Sequence, residues 1–184
     1  MARIEAARAA TRYDATTIAL HWATALLVGT LWVIGETINF FPRGAARVDY
    51  RSVHLVLGVL LAVVLALRLA WRSRGGRRLA AEGHRLLAAL AVAVHYALYG
   101  LLALTLALGV LNALAHGGSL FGLWPIPRWT AGTSGWPRLV GGWHGLAADG
   151  LLILAGLHAA AALLHHYMLR DGTLRRMLPG LAPR

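Results

Sequence analysis

The chain has 184 residues, no cysteine, a formal net charge of +11 and a mean hydropathy of +0.60, with 58% hydrophobic and only 14% charged residues. That composition excludes an ordinary soluble domain, and the lack of thiols excludes disulfides and thiolate-ligated metal clusters. What remains is a small polytopic membrane protein.

Residues 1–12 are rich in Ala and Arg. The apolar run that follows, 16–40, is too long for a signal-peptide core and has no obvious cleavage site behind it, so it reads as a first span that is retained. Further runs at 52–71, 88–113 and 139–169 also reach the roughly 20 residues that a helix needs to cross about 30 Å of hydrocarbon. The alternating ten-residue pattern of a membrane barrel is absent. The predicted fold is therefore all-α, one integral membrane four-helix bundle over 1–184, because lipid tolerates only elements that satisfy their own backbone. Between the spans lie a Gly/Arg-rich connection at 72–83 and a longer loop at 115–136, in which Trp124, Trp129 and Trp136 predict a cap at headgroup level.

Arginine placement predicts orientation. Arg3, Arg8 and Arg12, then Arg72, Arg74, Arg77, Arg78 and Arg85, then Arg170, Arg175, Arg176 and Arg184 fall on one side of an even-numbered bundle. The positive-inside rule makes that side, with both termini, cytoplasmic. The opposite loops still carry Arg43, Arg47, Arg51, Arg128 and Arg138 against Asp49. Such a basic outer surface is either a by-product of an arginine-rich composition or a funnel for a small anion.

Histidines stand out against this background. His144 and His158 are fourteen residues apart on the fourth run, four turns less about 40°, which puts both imidazoles on nearly one face and about 21 Å apart along the axis. His165 extends the stripe by seven residues, about 20° off the same line. By depth, His54 at the outer start of the second run matches His144. His158 matches His21 near the cytoplasmic start of the first run, or alternatively His95 in the third. Neutral imidazole is the axial ligand suited to a non-covalent b-type haem, and two of them favour electron transfer over oxygen binding. Single histidines near helix ends, such as His84, His116 and His166, read instead as interfacial side chains. Gly58, Gly100, Gly109, Gly145 and Gly156 read either as close helix packing or as clearance for a porphyrin plane. Gly58, one turn from His54, is the best clearance candidate.

The sequence resembles the bacterial cytochrome b561 family over nearly its whole length. The likeness runs through Arg12-Tyr13-Asp14, Ile18-Ala19-Leu20-His21-Trp22, Phe41-Pro42-Arg43 and Val53-His54-Leu55-Val56-Leu57-Gly58. It continues in Arg68, Trp71-Arg72, His95-Tyr96-Ala97-Leu98-Tyr99 and Phe121-Gly122, and is most specific in Trp143-His144, Gly156-Leu157-His158 through Tyr167, and Arg170-Asp171-Gly172-Thr173 through Pro179. Two departures are the connection 72–83, where the family often has a Pro-rich loop, and Gly145, where an acidic residue often follows the outer histidine.

The resemblance implies two non-covalent b haems on His21, His54, His144 and His158, in a multi-pass protein of the bacterial inner membrane exchanging electrons with quinone. It further implies superoxide oxidation at the periplasmic face with ubiquinone as acceptor, a superoxide:ubiquinone oxidoreductase. Arg43 and Arg138 then belong to the anion-attracting surface, and His165 is the candidate proton donor to reduced quinone. A second reading is a haem-bearing subunit fed by a periplasmic dehydrogenase or cytochrome. A third is a non-haem bundle using its histidines as metal or proton relays. The expected partners are the lipid bilayer, ubiquinone and superoxide, and no nucleic acid is expected.

Overall fold

The structure is a computed structural model and describes residues 12–76, 79, 85–129 and 135–178. His84 and the arginines at 3, 8, 77, 78 and 184 lie outside them.

Helix α1, Ala15–Thr37, starts where Asp14 accepts hydrogen bonds from the Thr17 amide at 2.9 Å and the Thr17 hydroxyl at 2.7 Å. Such a cap is worth about 1 kcal/mol. A short 3₁₀ turn, Ile38–Phe40, leads over the first connection into α2, Ala45–Arg74. Arg47 fastens that connection by donating to the carbonyls of Asn39 and Phe41, and the Thr37 and Tyr50 hydroxyls meet at 2.8 Å. Helix α3 covers Arg85–His116, and α4 covers Trp136–Leu164 with Pro137 in its first turn, where its missing N–H is harmless. All four are long and apolar enough to cross a membrane, as expected. All four begin before the hydrophobic runs do, α1 by a single residue: α2 takes in Arg47, Asp49 and Arg51, because a helix continues into the headgroup layer after its apolar residues end.

The 115–136 segment holds a hairpin that the sequence did not reveal. Strands β1, Gly118–Leu120, and β2, Trp124–Ile126, pair antiparallel. They are joined through Phe121 and Gly122, both at positive φ (52° and 70°), with the Leu123 amide donating to Leu120 at 2.9 Å, the geometry of a type I′ turn. The Phe121 amide donates to the hydroxyl of Ser52, which is wholly buried. A Cβ on Gly118 would come within 2.9 Å of the Arg51 guanidinium. These two contacts seat the hairpin on the start of α2.

Helices α1 and α2 pack closely on each other, as do α3 and α4, while contact between the two pairs is thinner. Leu31, Leu61, Leu65, Leu102 and Leu151, drawn from all four helices, form the central buried layer. The β-hairpin marks one end of the bundle, here the hairpin face. Residues 12 and 178 lie at the other, the terminal face, where the Trp71 indole donates to Asp14 at 2.9 Å and the Trp22 indole donates to the Met177 carbonyl at 3.0 Å.

Candidate functional site

Four of the candidate histidines project from regular stretches of helix and meet across the seam between the two helix pairs. On the hairpin-face side of the leucine layer, His54 of α2 and His144 of α4 face each other with ring centroids 6.2 Å apart. On the terminal-face side, His21 of α1 and His158 of α4 stand 6.3 Å apart. With metal–nitrogen bonds of about 2 Å and a centroid about 1 Å behind each ligating nitrogen, two imidazoles on opposite sides of one iron have centroids about 6 Å apart. Both pairs fit that requirement. His95 of α3 is also brought to His158, but at 5.1 Å, too short to share an iron in line. Leu151, buried at 5% exposure, lies midway between His144 and His158 in sequence and in the leucine layer, so the two pairs are separate sites.

The far ring nitrogens differ. His144 Nδ1 lies 3.0 Å from the Thr105 carbonyl. A carbonyl only accepts, so Nδ1 carries the proton and Nε2 presents a lone pair, the state a metal ligand requires. His54 Nδ1 is buried without a hydrogen-bond partner. His21 Nδ1 lies 3.1 Å from Arg68 Nη2. His95 Nδ1 is bonded to its own helix at the Ala91 carbonyl, 2.6 Å.

Two glycines make room for the hairpin-face rings. A Cβ at Gly109 would lie 3.1 Å from His144 Cε1, and one at Gly35 would lie 3.4 Å from His54 Cε1. At Gly58 an added Cβ meets nothing within 4 Å, so its side of α2 is open. Gly109 was one of five glycines with two readings in the sequence, and Gly35 was missed, since its neighbour belongs to another helix. Also missed was Asp149, a carboxylate inside the fourth span that accepts from the Trp32 indole at 2.8 Å and ties α4 to α1. Lone charges in apolar runs are the signal that finds such residues.

His165 follows the last residue of α4 and opens a π-helical turn, His165–Leu169. Its Nδ1 contacts Asp171 Oδ2 at 2.5 Å, while Asp171 Oδ1 accepts from the Thr173 amide at 2.9 Å. Burial pushes the Asp171 carboxyl up, but the bonds from His165 and Thr173 outweigh it and hold the carboxyl below its usual range. Next to this pair a cavity of about 410 Å³ is lined by His166, Arg170, Asp171 and Arg175. His166 is buried at 6% exposure, contrary to the interfacial side chain expected of it; the π-turn rolls its ring inward against Tyr167, centroids 4.9 Å apart. His116 is exposed at the end of α3, as an interfacial residue should be.

The arginines of the hairpin face divide into two groups. Arg47 and Arg51 are engaged by the first connection and the β-hairpin, whereas Arg43, Arg128 and Arg138 are exposed.

Four membrane-length helices with histidines paired across the seam define a membrane cytochrome of the b type. The model of the prokaryotic cytochrome b561 family matches residues 12–180, and the chain belongs to that family of membrane haem b electron-transfer proteins. It is 29% identical to a probable superoxide oxidase CybB of Yersinia pestis, across 91% of this chain and 96% of that protein. It is 29% identical to cytochrome b561 homolog 2 of Escherichia coli K12, across 91% of each. It is 31% identical to a cytochrome b562 of Cereibacter sphaeroides, across 90% and 94%. Family membership removes the non-haem reading. Among the described residues no group of three or more His, Cys, Asp or Glu is placed to hold a metal ion.

Proposed function

We propose that the chain is a di-haem b oxidoreductase of the bacterial inner membrane that moves electrons from superoxide at the hairpin face, turned to the periplasm, to ubiquinone near the cytoplasmic terminal face. The observation that carries this reading is the two histidine pairs, 6.2 and 6.3 Å across, on opposite sides of one leucine layer. His54 and His144 would hold one haem non-covalently, His21 and His158 the other, and Gly58 leaves its side of α2 free for a flat ring. His95, too close to His158 to share its metal, flanks the second site. When bound, two bis-histidine haems supply one-electron carriers with no open coordination position.

The chain's own groups serve the two ends. Arg43, Arg128 and Arg138 present fixed positive charge that draws a small anion to the hairpin face, an attraction that weakens with salt. Two superoxide ions each give up one electron and leave as oxygen; ubiquinone takes both electrons and two protons. At the terminal face His165, with Nδ1 held by Asp171, can carry a proton on Nε2 and hand it to the quinone oxygen. The adjoining polar cavity gives that pair a route for replenishing the proton.

Rapid mixing of the purified, oxidised protein with superoxide tests the reading. Haem reduction followed by reoxidation with ubiquinone is expected. Haems that stay oxidised with superoxide but are reduced by a periplasmic dehydrogenase or cytochrome would replace it with the electron-transfer-subunit reading.

A further inference from the structure

Arg68 is a full charge inside the α2 span, half-buried two turns before the helix ends. A guanidinium does not shed its proton and has only donors, and a charge within a membrane segment is costly enough to require a reason. No carboxylate lies within ion-pair distance of it among the described residues. Its contacts come instead from two other helices. Nη2 lies 3.1 Å from His21 Nδ1 on α1, and the guanidinium carbon lies 5.1 Å from the centre of the Tyr99 ring on α3. The aromatic face attracts the cation and fixes its plane, so the fork is held toward the histidine.

The polarity of that contact is opposite to the one at the hairpin face. There His144 donates its Nδ1 proton to a carbonyl, an arrangement that makes the opposite nitrogen more basic and favours the oxidised, more positive metal. Here His21 Nδ1 stands 3.1 Å from a fixed positive charge, whose field favours the reduced, less positive metal. Whichever nitrogen holds the ring proton once metal is bound, the guanidinium charge stays beside it, because Tyr99 holds its other face.

We infer that Arg68 is a positioning residue that orients His21 and raises the reduction potential of the terminal-face haem above that of the hairpin-face haem, giving electron transfer through the bundle its direction. This rests on the reading of His21 and His158 as one ligand pair. A unit charge this close to a ligand, in a site of low dielectric, shifts a one-electron equilibrium by about tenfold or more, and tenfold corresponds to 59 mV for one electron.

The test is a spectroscopic redox titration of the two-haem protein, with the hairpin-face midpoint identified as the one lost in His144→Ala. In Arg68→Gln the reduced-to-oxidised ratio of the terminal-face haem at fixed potential should fall at least tenfold while that of the other haem changes less than twofold; Arg68→Lys, which keeps the charge, should restore most of the loss. Unchanged midpoints, or equal shifts of both, overturn the inference. If Arg68→Gln fails to load its second haem, Tyr99→Leu gives the same reading without touching ligand or charge: a smaller fall confined to the terminal-face haem supports the inference, and no change overturns it. Retention of two haems in His21→Ala would refute the ligand reading itself, and does so without reference to any midpoint.

Discussion

The two histidine pairs have nearly the same spacing, yet their surroundings have opposite character. The hairpin-face pair is set in a tight, neutral shell: His144 is oriented by a backbone carbonyl, and both rings rest against glycines on neighbouring helices, Gly109 and Gly35. The terminal-face pair lies among charge and additional imidazoles, with Arg68 on His21 and His95 5.1 Å from His158. Equal spacing with unequal surroundings is what a relay needs, since identical sites would carry electrons equally well both ways. Position in the bundle follows the same division. The neutral site lies under an exposed basic surface, and the charged site lies toward the His165–Asp171 pair, the proposed proton donor.

The comparison breaks most sharply if the pairs do not hold separate haems. His144→Ala and His158→Ala should each reduce haem content from two per chain to one, measured as the pyridine complex, with different bands surviving in the reduced-minus-oxidised spectrum. His95→Ala should keep both, because its ring is too near His158 to share an iron in line. Loss of a haem in His95→Ala, together with retention in His21→Ala, would reverse the pairing at the terminal face.

A smaller effect is expected from the glycine shell. At Gly109 a Cβ would sit 3.1 Å from the His144 ring, so Gly109→Val should displace that ring and cost about 1–3 kcal/mol as overpacking does. Hairpin-face haem should be lost selectively. Gly35→Ala, at an ordinary contact distance of 3.4 Å, should be tolerated. Equal loss of both haems in Gly109→Val would mean that the two sites are coupled through the bundle rather than separated by the leucine layer.

Most of the bundle and its histidine pairs could be read from the sequence, because an ionisable residue in an apolar run is conspicuous and helical geometry converts spacing into depth. What sequence could not supply was contact between helices. His21 and His95 are both depth-compatible with His158, and only the packing of α1 and α3 on α4 distinguishes 6.3 Å from 5.1 Å. Arg68 is visible as a charge in the second span, but its partners His21 and Tyr99 come from elsewhere in the chain. The β-hairpin escaped because its strands are three residues each and its turn puts Phe121, an unusual residue for positive φ, beside Gly122. The π-turn after Leu164 has no periodic signature, so Asp171 could not be assigned to His165, nor His166 turned inward.

Below the haem effects come those on proton delivery. His165→Ala should slow ubiquinone reduction by about 10²-fold or more, the usual worth of a general acid, with haem content intact. Asp171→Asn should slow it by about tenfold, as loss of an orienting partner does. The pH dependence has a definite sign. Because the Asp171 carboxyl is held below its usual range, it contributes fully above the ordinary carboxylate pKa, and its contribution is lost as pH falls through the lowered value. The difference in rate between wild type and Asp171→Asn should therefore stay level from neutral pH down through the ordinary carboxylate range and close only below it. A difference that closes at higher pH would mean that His165 does not hold Asp171 ionised.

The smallest effect belongs to the fold of residues 170–178. Trp22→Phe removes the indole N–H that reaches the Met177 carbonyl. An exposed hydrogen bond of this kind contributes about 1 kcal/mol at most, so neither haem content nor midpoints should move, even though Trp22 is next to His21, the proposed ligand. Increased proteolysis after Arg170 is the expected readout. The outcome separates two ways of holding the proton donor. If quinone reduction is unchanged while cleavage rises, the π-turn and the Asp171 bonds to His165 and Thr173 are sufficient to position the pair. If the rate falls with cleavage, the geometry at His165 depends on the segment being fastened to α1, and proton delivery is coupled mechanically to the helix that carries the terminal-face ligand.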